Sequence, residues 1–324
     1  MNALLLLLLL LTALLSLATG SSDIAPLTGL LDWARGVQSV DAIVSGEIRL
    51  PRTLLALLVG GCLGLSGAAL QGLLRNPLAD PGLTGASQGA ALGAASVFYF
   101  GLFPALGGVA PALAGLVGAG VALLIMLLLA GPAGQAMVIM AGLAISTLAG
   151  ALLAAVLNFA PSPFAMQELV FWLLGSVAER GLDHLAVLLP ALLVGGGLIW
   201  GQRRLLLGLS LGEQVAQSMG LSPRRGGRLI VLGAALLVGS SVAVAGAIGF
   251  VGLIVPHLVR PWVRHRPDRV LLPSALLGAV LVCLADIVVR LQGPGQELKL
   301  GVLTSLIGAP VFIWLVWRER RRWL

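Results

Sequence analysis

Long apolar runs separated by short polar stretches divide this chain from end to end. Helices satisfy their own backbone hydrogen bonds in lipid, and roughly 20 apolar residues span a bilayer's hydrocarbon core. The pattern therefore predicts an all-α polytopic membrane bundle of about ten transmembrane helices, folded as a single domain over residues 1–324. The ten predicted segments are about 3–20, 53–74, 83–103, 108–130, 136–160, 183–201, 227–248, 251–262, 270–291 and 300–317.

Two of these segments differ from the rest. The segment at 251–262 is too short to cross a bilayer alone, which predicts a partial helix with protein around its ends. Residues 1–20 have small residues near a possible signal-peptide cleavage point, but no basic region precedes the apolar run. We expect a retained first span.

Composition and charge support a membrane protein of defined orientation. Hydrophobic residues make up 58% of the chain and charged residues 10%, which is outside the range of soluble domains. Threading ten spans from a cytoplasmic start places most basic residues on one side, which the positive-inside rule makes cytoplasmic. We expect an inner-membrane protein with both termini in the cytoplasm. The basic residues on that side are Arg75, Arg203, Arg204, Arg224, Arg225, Arg228, Arg260, Arg264, Arg266, Arg269, Arg318, Arg320, Arg321 and Arg322.

Several classes of chemistry lack the residues they need. The two cysteines lie inside apolar runs and the three histidines are far apart, so we expect neither a disulfide nor a metal site. Lys299 is the single lysine and Leu300 follows it, which excludes a P-loop. Arginines beside apolar runs indicate membrane topology, not nucleic-acid binding. We expect no catalytic residues, no enzyme activity and no cofactor.

Two alternative classes of membrane protein lack the residues they would need. A secondary transporter should carry buried acids for coupling ions, but Asp286 is the one acid well inside a predicted span, and Arg290 is its expected partner at i+4. An intramembrane enzyme would need a nucleophile with a base, or a metal motif, and the sequence has neither.

Four polar stretches are too particular to be simple spacers. RLPR, at 49–52, puts two arginines at the outer mouth of the second span, where interfacial anchoring is the alternative interpretation. ADIVVR, at 285–290, predicts the ion pair between Asp286 and Arg290. LSLGEQVAQSMGLSPRR, at 209–225, predicts short helices broken at two glycines, with an apolar face suited to docking. Ser210 is expected to cap the first of these helices, with Glu213 at its N3 position.

The fourth stretch, AGAIGFVGLIVPHLVR at 245–260, carries a GxxGxxG pattern without a preceding strand. A dinucleotide site is therefore excluded, and a helix broken near Gly249 to Gly252 is predicted.

A fifth stretch, NPLADPGLTG at 76–85, predicts a tight cytoplasmic turn between the second and third spans. Pro77 and Pro81 end helices, and Asn76 can satisfy backbone groups of the turn, while Asp80 lies between the two prolines.

Together these stretches, with GVLTSLIGAPVFIWL at 301–315, resemble the FecCD family of permease subunits of ATP-binding-cassette (ABC) importers for iron-siderophores, haem and cobalamin. The resemblance implies a homodimer embedded in membrane lipid, a cytoplasmic ABC ATPase beneath each subunit, and a periplasmic or lipid-anchored substrate-binding protein outside. It also implies that the binding protein docks on Arg49, Arg52 and Arg290.

The resemblance assigns 209–221 to coupling helices that fit a cleft in the ATPase. The coupling residues expected there are Ser210, Leu211, Gly212, Glu213, Ala216 and Gly220. The turn residues Asn76, Pro77, Asp80 and Pro81 form a family signature.

The chain departs from the family in two places. Lys299 stands in a segment where the family usually has proline. Cobalamin permeases have small hydroxyl residues at a cytoplasmic gate, where this chain has Gln135 and Ala136. From the family's breadth we expect an iron chelate, siderophore or haem, as substrate, with cobalamin as the alternative.

Overall fold

A computed structural model describes residues 1–20, 24–131, 135–160, 162–292 and 298–323. Within these ranges the chain is helical, with turns and no strand. The α-helices are α1 (Asn2–Ala18), α2 (Pro26–Ala34), α3 (Val40–Ile43), α4 (Leu50–Leu73), α5 (Ala86–Phe100), α6 (Ala110–Ala130), α7 (Gln135–Asn158), α8 (Pro163–Leu173), α9 (Asp183–Gly201), α10 (Arg203–Ser210), α11 (Glu213–Ser218), α12 (Pro223–Ala245), α13 (Val251–Val259), α14 (Pro267–Arg290) and α15 (Leu300–Trp323). One π-helical turn covers Val44–Arg49, and 3₁₀ turns cover Pro81–Thr84, Pro104–Val109 and Arg260–Val263.

Each of the ten predicted apolar segments contains a helix, which confirms the predicted fold class. Among the described residues, six helical stretches are long and apolar enough to cross a membrane, and they include α4, α6, α7, α9, α12 and α14. Three further apolar helical stretches are shorter: Asn2–Ala18, Val251–Val263 and Leu300–Leu315. The chain is therefore a multi-pass membrane protein.

Helices α4 and α12 form the centre of the bundle. The most apolar window of each is 78% buried, compared with 28–33% for α6, α7 and α9. Glycines allow α4 and α14 to cross closely, because a Cβ on Gly60 would lie 2.2 Å from the carbonyl oxygen of Gly278. Small residues let helices approach in lipid, where hydrophobicity alone does not drive association. The predicted small-residue packing is confirmed at this crossing.

Helices α4 and α14 run between two ends of the bundle that carry different polar groups. The C-termini of α1 and α14 meet the N-terminus of α4 around Asp286, and we call this the Asp286 end. The C-terminus of α4 and the N-terminus of α14 lie beside the end of α10, and we call this the α10–α11 end.

The structure departs from the sequence prediction in two respects. Helices α2, α3 and α8 were not predicted, because they are short and lie in mixed polar and apolar stretches. The predicted break near Gly249 to Gly252 lies slightly earlier: α12 ends at Ala245, and α13 begins at Val251. Helix α13 has nine residues, which confirms the predicted partial helix.

Candidate functional site

A single buried carboxylate organises the Asp286 end. Asp286, on α14, is 1% exposed. Arg52 of α4 donates from Nε to both carboxylate oxygens, at 3.0 and 3.1 Å, and Arg290 donates from Nε at 2.8 Å. The predicted i, i+4 pair is therefore confirmed. The contact with Arg52, 234 residues away, was not predicted.

Arg290 also binds the C-terminus of α1. Its Nη1 donates to the carbonyl oxygens of Ser16 and Thr19 at 2.8 and 3.2 Å, and its Nη2 donates to the Ser16 hydroxyl at 2.7 Å. That hydroxyl also lies 2.7 Å from the hydroxyl of Thr53 on α4. The last carbonyls of a helix have no intrahelical partner and carry partial negative charge. Arg290 therefore joins α14 to the end of α1, and the Ser16 hydroxyl extends this contact to α4.

Arg49 binds the same helix end from the other side. Its Nη1 donates to the carbonyl oxygens of Leu17 and Ala18 at 3.0 and 3.1 Å. Arg49 is 4% exposed, and the side chain of Arg290 is 6% exposed. Neither arginine therefore reaches outward as interfacial anchoring would require.

Arg52 differs from the other two arginines. Its Nε donates to Asp286, and its Nη2 forms an ion pair with the same carboxylate. Among the described residues, no acceptor lies within hydrogen-bond distance of its Nη1. The side chain is 14% exposed. The structure thus brings together the three arginines expected to dock a binding protein. Of the Arg52 guanidinium group, the Nη1 edge has no described acceptor.

The predicted signature turn packs into the bundle. Asn76 Oδ1 accepts a hydrogen bond from the Leu78 amide at 2.9 Å, and Asp80 Oδ1 accepts one from the Gly82 amide at 2.6 Å. Burial raises the pKa of the Asp80 carboxyl above its ordinary value, and the hydrogen bond from Gly82 opposes that shift.

Pro81 of the same turn lies against α13. A Cβ on Gly252 would come within 2.7 Å of Pro81 Cγ. Pro77, by contrast, lines a cavity at the α10–α11 end. The turn therefore connects the interrupted helix to that end of the bundle, and it is not merely a solvated connection.

The predicted coupling segment forms two short helices separated at a glycine. Gly212, between α10 and α11, has φ +118°, and Gly220, after α11, has φ +76°. Leu211, Val215 and Met219 expose apolar side chains on this segment. The predicted breaks and the predicted apolar face are both present.

Two residues of the predicted coupling segment are placed differently from the prediction. Ser210 was expected to cap the helix that contains Glu213, which is wrong: Ser210 is the last residue of α10, and its hydroxyl donates to the Leu207 carbonyl at 2.7 Å. Gly212 is the N-cap, and Glu213 is the first residue of α11. Ala216 is fully buried against Gly208, so it stabilises the segment from inside.

The remaining site predictions concern a gate and a metal site. Gln135 and Ala136 begin α7, but their side chains lie outside the described residues. In the described part of the chain, no three His, Cys, Asp or Glu side chains form a group that could hold a metal ion.

Comparison with known proteins gives consistent results over nearly the whole chain. The profile of the FecCD transport family matches residues 7–318. The vitamin B12 import system permease proteins BtuC of Salmonella paratyphi A and Salmonella typhi are each 42% identical over 326 residues, covering 97% of this chain and 94% of each relative.

Solved structures agree with this result. A transporter assigned to the metal-chelate ABC type, in an inward-facing conformation, matches with a TM-score of 0.85 and 31% identity, covering 98% of both chains. PsaBC from Streptococcus pneumoniae, solved with a Fab, matches at a TM-score of 0.52 and 18% identity, which supports the fold alone. From the family profile and these full-length relatives, we conclude that the chain belongs to the FecCD transport family.

Proposed function

We propose that this chain is the permease subunit of an ABC importer that moves vitamin B12 across the cytoplasmic membrane. The observation that carries the proposal is the 42% identity to vitamin B12 import permeases over 97% of the chain. The sequence alone favoured an iron chelate and held cobalamin as the alternative, and the relatives favour that alternative. The likeness to a metal-chelate type transporter is compatible with it, because cobalamin is a cobalt chelate.

The importer would work as a homodimer with two further proteins. The ATPase would lie in the cytoplasm beneath the α10–α11 end, and the binding protein would dock outside at the Asp286 end. The charge distribution supports this orientation, with both termini in the cytoplasm, because 14 of the 20 basic residues belong to the α10–α11 side. ATP-driven closure of the ATPases would switch the side on which the pathway opens.

For docking outside, we assign the direct contact to Arg52. Its Nη1 edge can receive a carboxylate, whereas Arg49 and Arg290 hold α1. Three arginines and one aspartate leave a local charge of +2, which would steer an acidic partner from a distance. Asp286 acts here as a positioning residue, because it fixes the plane of the Arg52 guanidinium group.

For coupling inside, the exposed apolar side chains at Leu211, Val215 and Met219 supply the contact surface. Gly212 sets the angle between α10 and α11, since its φ of +118° is accessible to glycine alone. We therefore expect Leu211, Gly212 and Glu213 to face the ATPase, with Ala216 holding the segment to the bundle.

The test is ATP-dependent uptake by proteoliposomes that contain the permease, its ATPase and its binding protein. Labelled cobalamin, ferric siderophore and haem are offered separately, and an ATPase without hydrolytic activity is the control. We expect cobalamin to accumulate in an ATP-dependent manner. Uptake of an iron chelate without cobalamin would overturn the substrate, and no ATP-dependent uptake of any of the three would overturn the importer proposal.

A further inference from the structure

A cationic cavity at the α10–α11 end is used by none of the roles assigned above. Its volume is about 280 Å³, and it lies between the C-terminus of α4, the end of α10 and the start of α14. The polar residues that line it are Gln71, Arg75, Ser210, Arg260 and His265. No carboxylate is among the described residues of its lining. Positive charge therefore converges on the cavity without an acidic partner inside it.

The floor of the cavity is rigid. Gln71 is 1% exposed, and its amide nitrogen donates to the carbonyl oxygens of Gly252 and Leu253, each at 3.2 Å. Its carbonyl oxygen accepts a hydrogen bond from Arg260 Nη2 at 2.7 Å. The Arg260 guanidinium group is thus held in one orientation by α4 and α13. A site whose charged group is already fixed loses less entropy on binding a ligand.

The rim of the cavity contains backbone strain. Arg75 and His265 have φ of +50° and +58°, in the left-handed region that L side chains rarely adopt. Their side chains make no hydrogen bond or ion pair with any described residue. Strained residues whose arginine and histidine side chains lack a described partner beside a cavity indicate a binding role for that cavity.

We propose that this cavity binds the phosphate group of an anionic phospholipid. It lies where α4 and α14, two helices long and apolar enough to span a membrane, end, and basic pockets between such helices bind anionic headgroups. Arginine matches the oxygens of a phosphate with its planar fork of donors. The Ser210 hydroxyl donates to a backbone carbonyl, and a lipid hydroxyl could donate to its oxygen. The cytoplasmic leaflet follows from the orientation proposed above, whereas the phosphate chemistry does not depend on it.

The chain offers a matched set of variants for the test. Arg75→Asn removes a guanidinium group and His265→Asn removes an imidazole from the rim, and asparagine tolerates the left-handed backbone. Arg264→Asn is the control, because Arg264 has φ +54° and is one residue from His265 but does not line the cavity. Each full-length protein is purified in detergent, and its melting temperature is measured with added phosphatidylglycerol, phosphatidylcholine or inorganic phosphate.

We expect phosphatidylglycerol, and not phosphatidylcholine, to raise the melting temperature of the unmodified protein and of Arg264→Asn. Arg75→Asn should weaken the apparent affinity for phosphatidylglycerol about tenfold, which is the loss of one charge-assisted hydrogen-bonding group. His265→Asn should weaken it less. The melting temperatures in phosphatidylcholine show whether each variant is folded, and neither outcome depends on transport activity.

Three results would overturn the proposal. An equal loss in Arg264→Asn would mean general attraction to a basic surface. Equal stabilisation by inorganic phosphate would mean a site for free phosphate. If Arg75→Asn lost copurification with the ATPase while its response to phosphatidylglycerol stayed intact, the cavity would be a socket for an acidic side chain of the partner.

Discussion

The two ends of this bundle use the same residue type in opposite ways. At the Asp286 end, Arg49 and Arg290 are buried. Arg290 donates hydrogen bonds to Asp286, and both arginines donate to carbonyl groups at the C-terminus of α1. At the α10–α11 end, Arg75 lies exposed at the rim of a cavity and has no described side-chain partner. An arginine at a helix end is therefore not a docking residue by position alone. What distinguishes the two ends is whether the guanidinium group already donates its hydrogen bonds to other residues of the protein.

The difference has a physical cause. A charge that is taken out of water must be paired, or it costs several kcal/mol. Three helices converge at the Asp286 end, so the arginines there are enclosed, and the carboxylate and helix carbonyls compensate them. The rim of the cavity stays open to solvent, so its cations need no internal partner and remain available to a ligand.

Removal of the central carboxylate should give the largest effect. Asp286→Asn leaves Arg52 and Arg290 without a buried counter-charge, so we expect a loss of about 3–5 kcal/mol of stability. Asp268→Asn is the matched control, because Asp268 pairs with Arg266 at 2.9 Å in a more exposed site, where such pairs contribute about 0–1 kcal/mol. Thermal unfolding of both variants measures the difference. Equal losses would contradict the contrast between buried and open charge.

The backbone of the proposed coupling segment should give the next largest effect. Gly212→Ala forces alanine into a conformation accessible to glycine alone, at a cost of about 1–3 kcal/mol that bends or frays the segment. We expect ATP hydrolysis to continue while uptake falls. Gly220→Asn is the control, because asparagine tolerates the left-handed region near its φ of +76°. The measurement is the ratio of ATP hydrolysed to substrate transported. An unchanged ratio in Gly212→Ala would contradict the proposed role of Gly212 in coupling.

The Ser16 hydroxyl tests whether the Asp286 cluster, formed by Arg49, Arg52, Asp286 and Arg290, holds α1. Ser16→Ala removes one of the two acceptors of Arg290 Nη2, the other being Asp286, and it removes the contact with Thr53. Each lost hydrogen bond contributes about 0.5–1.5 kcal/mol. We expect lower thermal stability and faster proteolysis near residue 20. Ser218→Ala is the control, because its exposed hydroxyl bonds only within its own helix. If both variants unfold alike, the cluster does not hold α1.

The docking assignment predicts a smaller effect on a partner. Arg52→Lys keeps the charge and the pair with Asp286 but loses the free Nη1 edge. We expect the binding protein to dissociate a few-fold faster, with the salt dependence of association unchanged. Arg290→Lys should lower the stability of α1 without that change in dissociation. Surface plasmon resonance measures the dissociation rate of the binding protein from each variant. Faster dissociation from Arg290→Lys than from Arg52→Lys would assign the docking role to Arg290 instead.

Much of this architecture could be predicted from the sequence, because it depends on local patterns. Apolar runs located the ten principal helices, and the spacing between Asp286 and Arg290 predicted their pair. Gly212 and Gly220 predicted the breaks in the coupling segment. In each case the signal lies within one or two helical turns.

What could not be predicted depends on which distant segments meet. Nothing in RLPR shows that Arg52 turns inward to a carboxylate 234 residues away. The cavity is formed by α4, α10, α14 and the loop before α14, and no single stretch describes it. Ser210 was misassigned because a glycine N-cap has no side chain by which to recognise it. The burial of Ala216 likewise follows from packing, since its position on α11 is compatible with either face.

The central claim is that Arg49 and Arg290 are paired internally at the Asp286 end, whereas Arg75 is available at the α10–α11 end, and it can be measured directly. The full-length protein is treated with phenylglyoxal, which modifies accessible guanidinium groups, and the rate at each arginine is read by mass spectrometry. We predict rapid modification of Arg75 and Arg264, slower modification of Arg52, and protection of Arg49 and Arg290 until the protein unfolds. Modification of Arg49 and Arg290 in the folded protein as fast as that of Arg75 would contradict the claim.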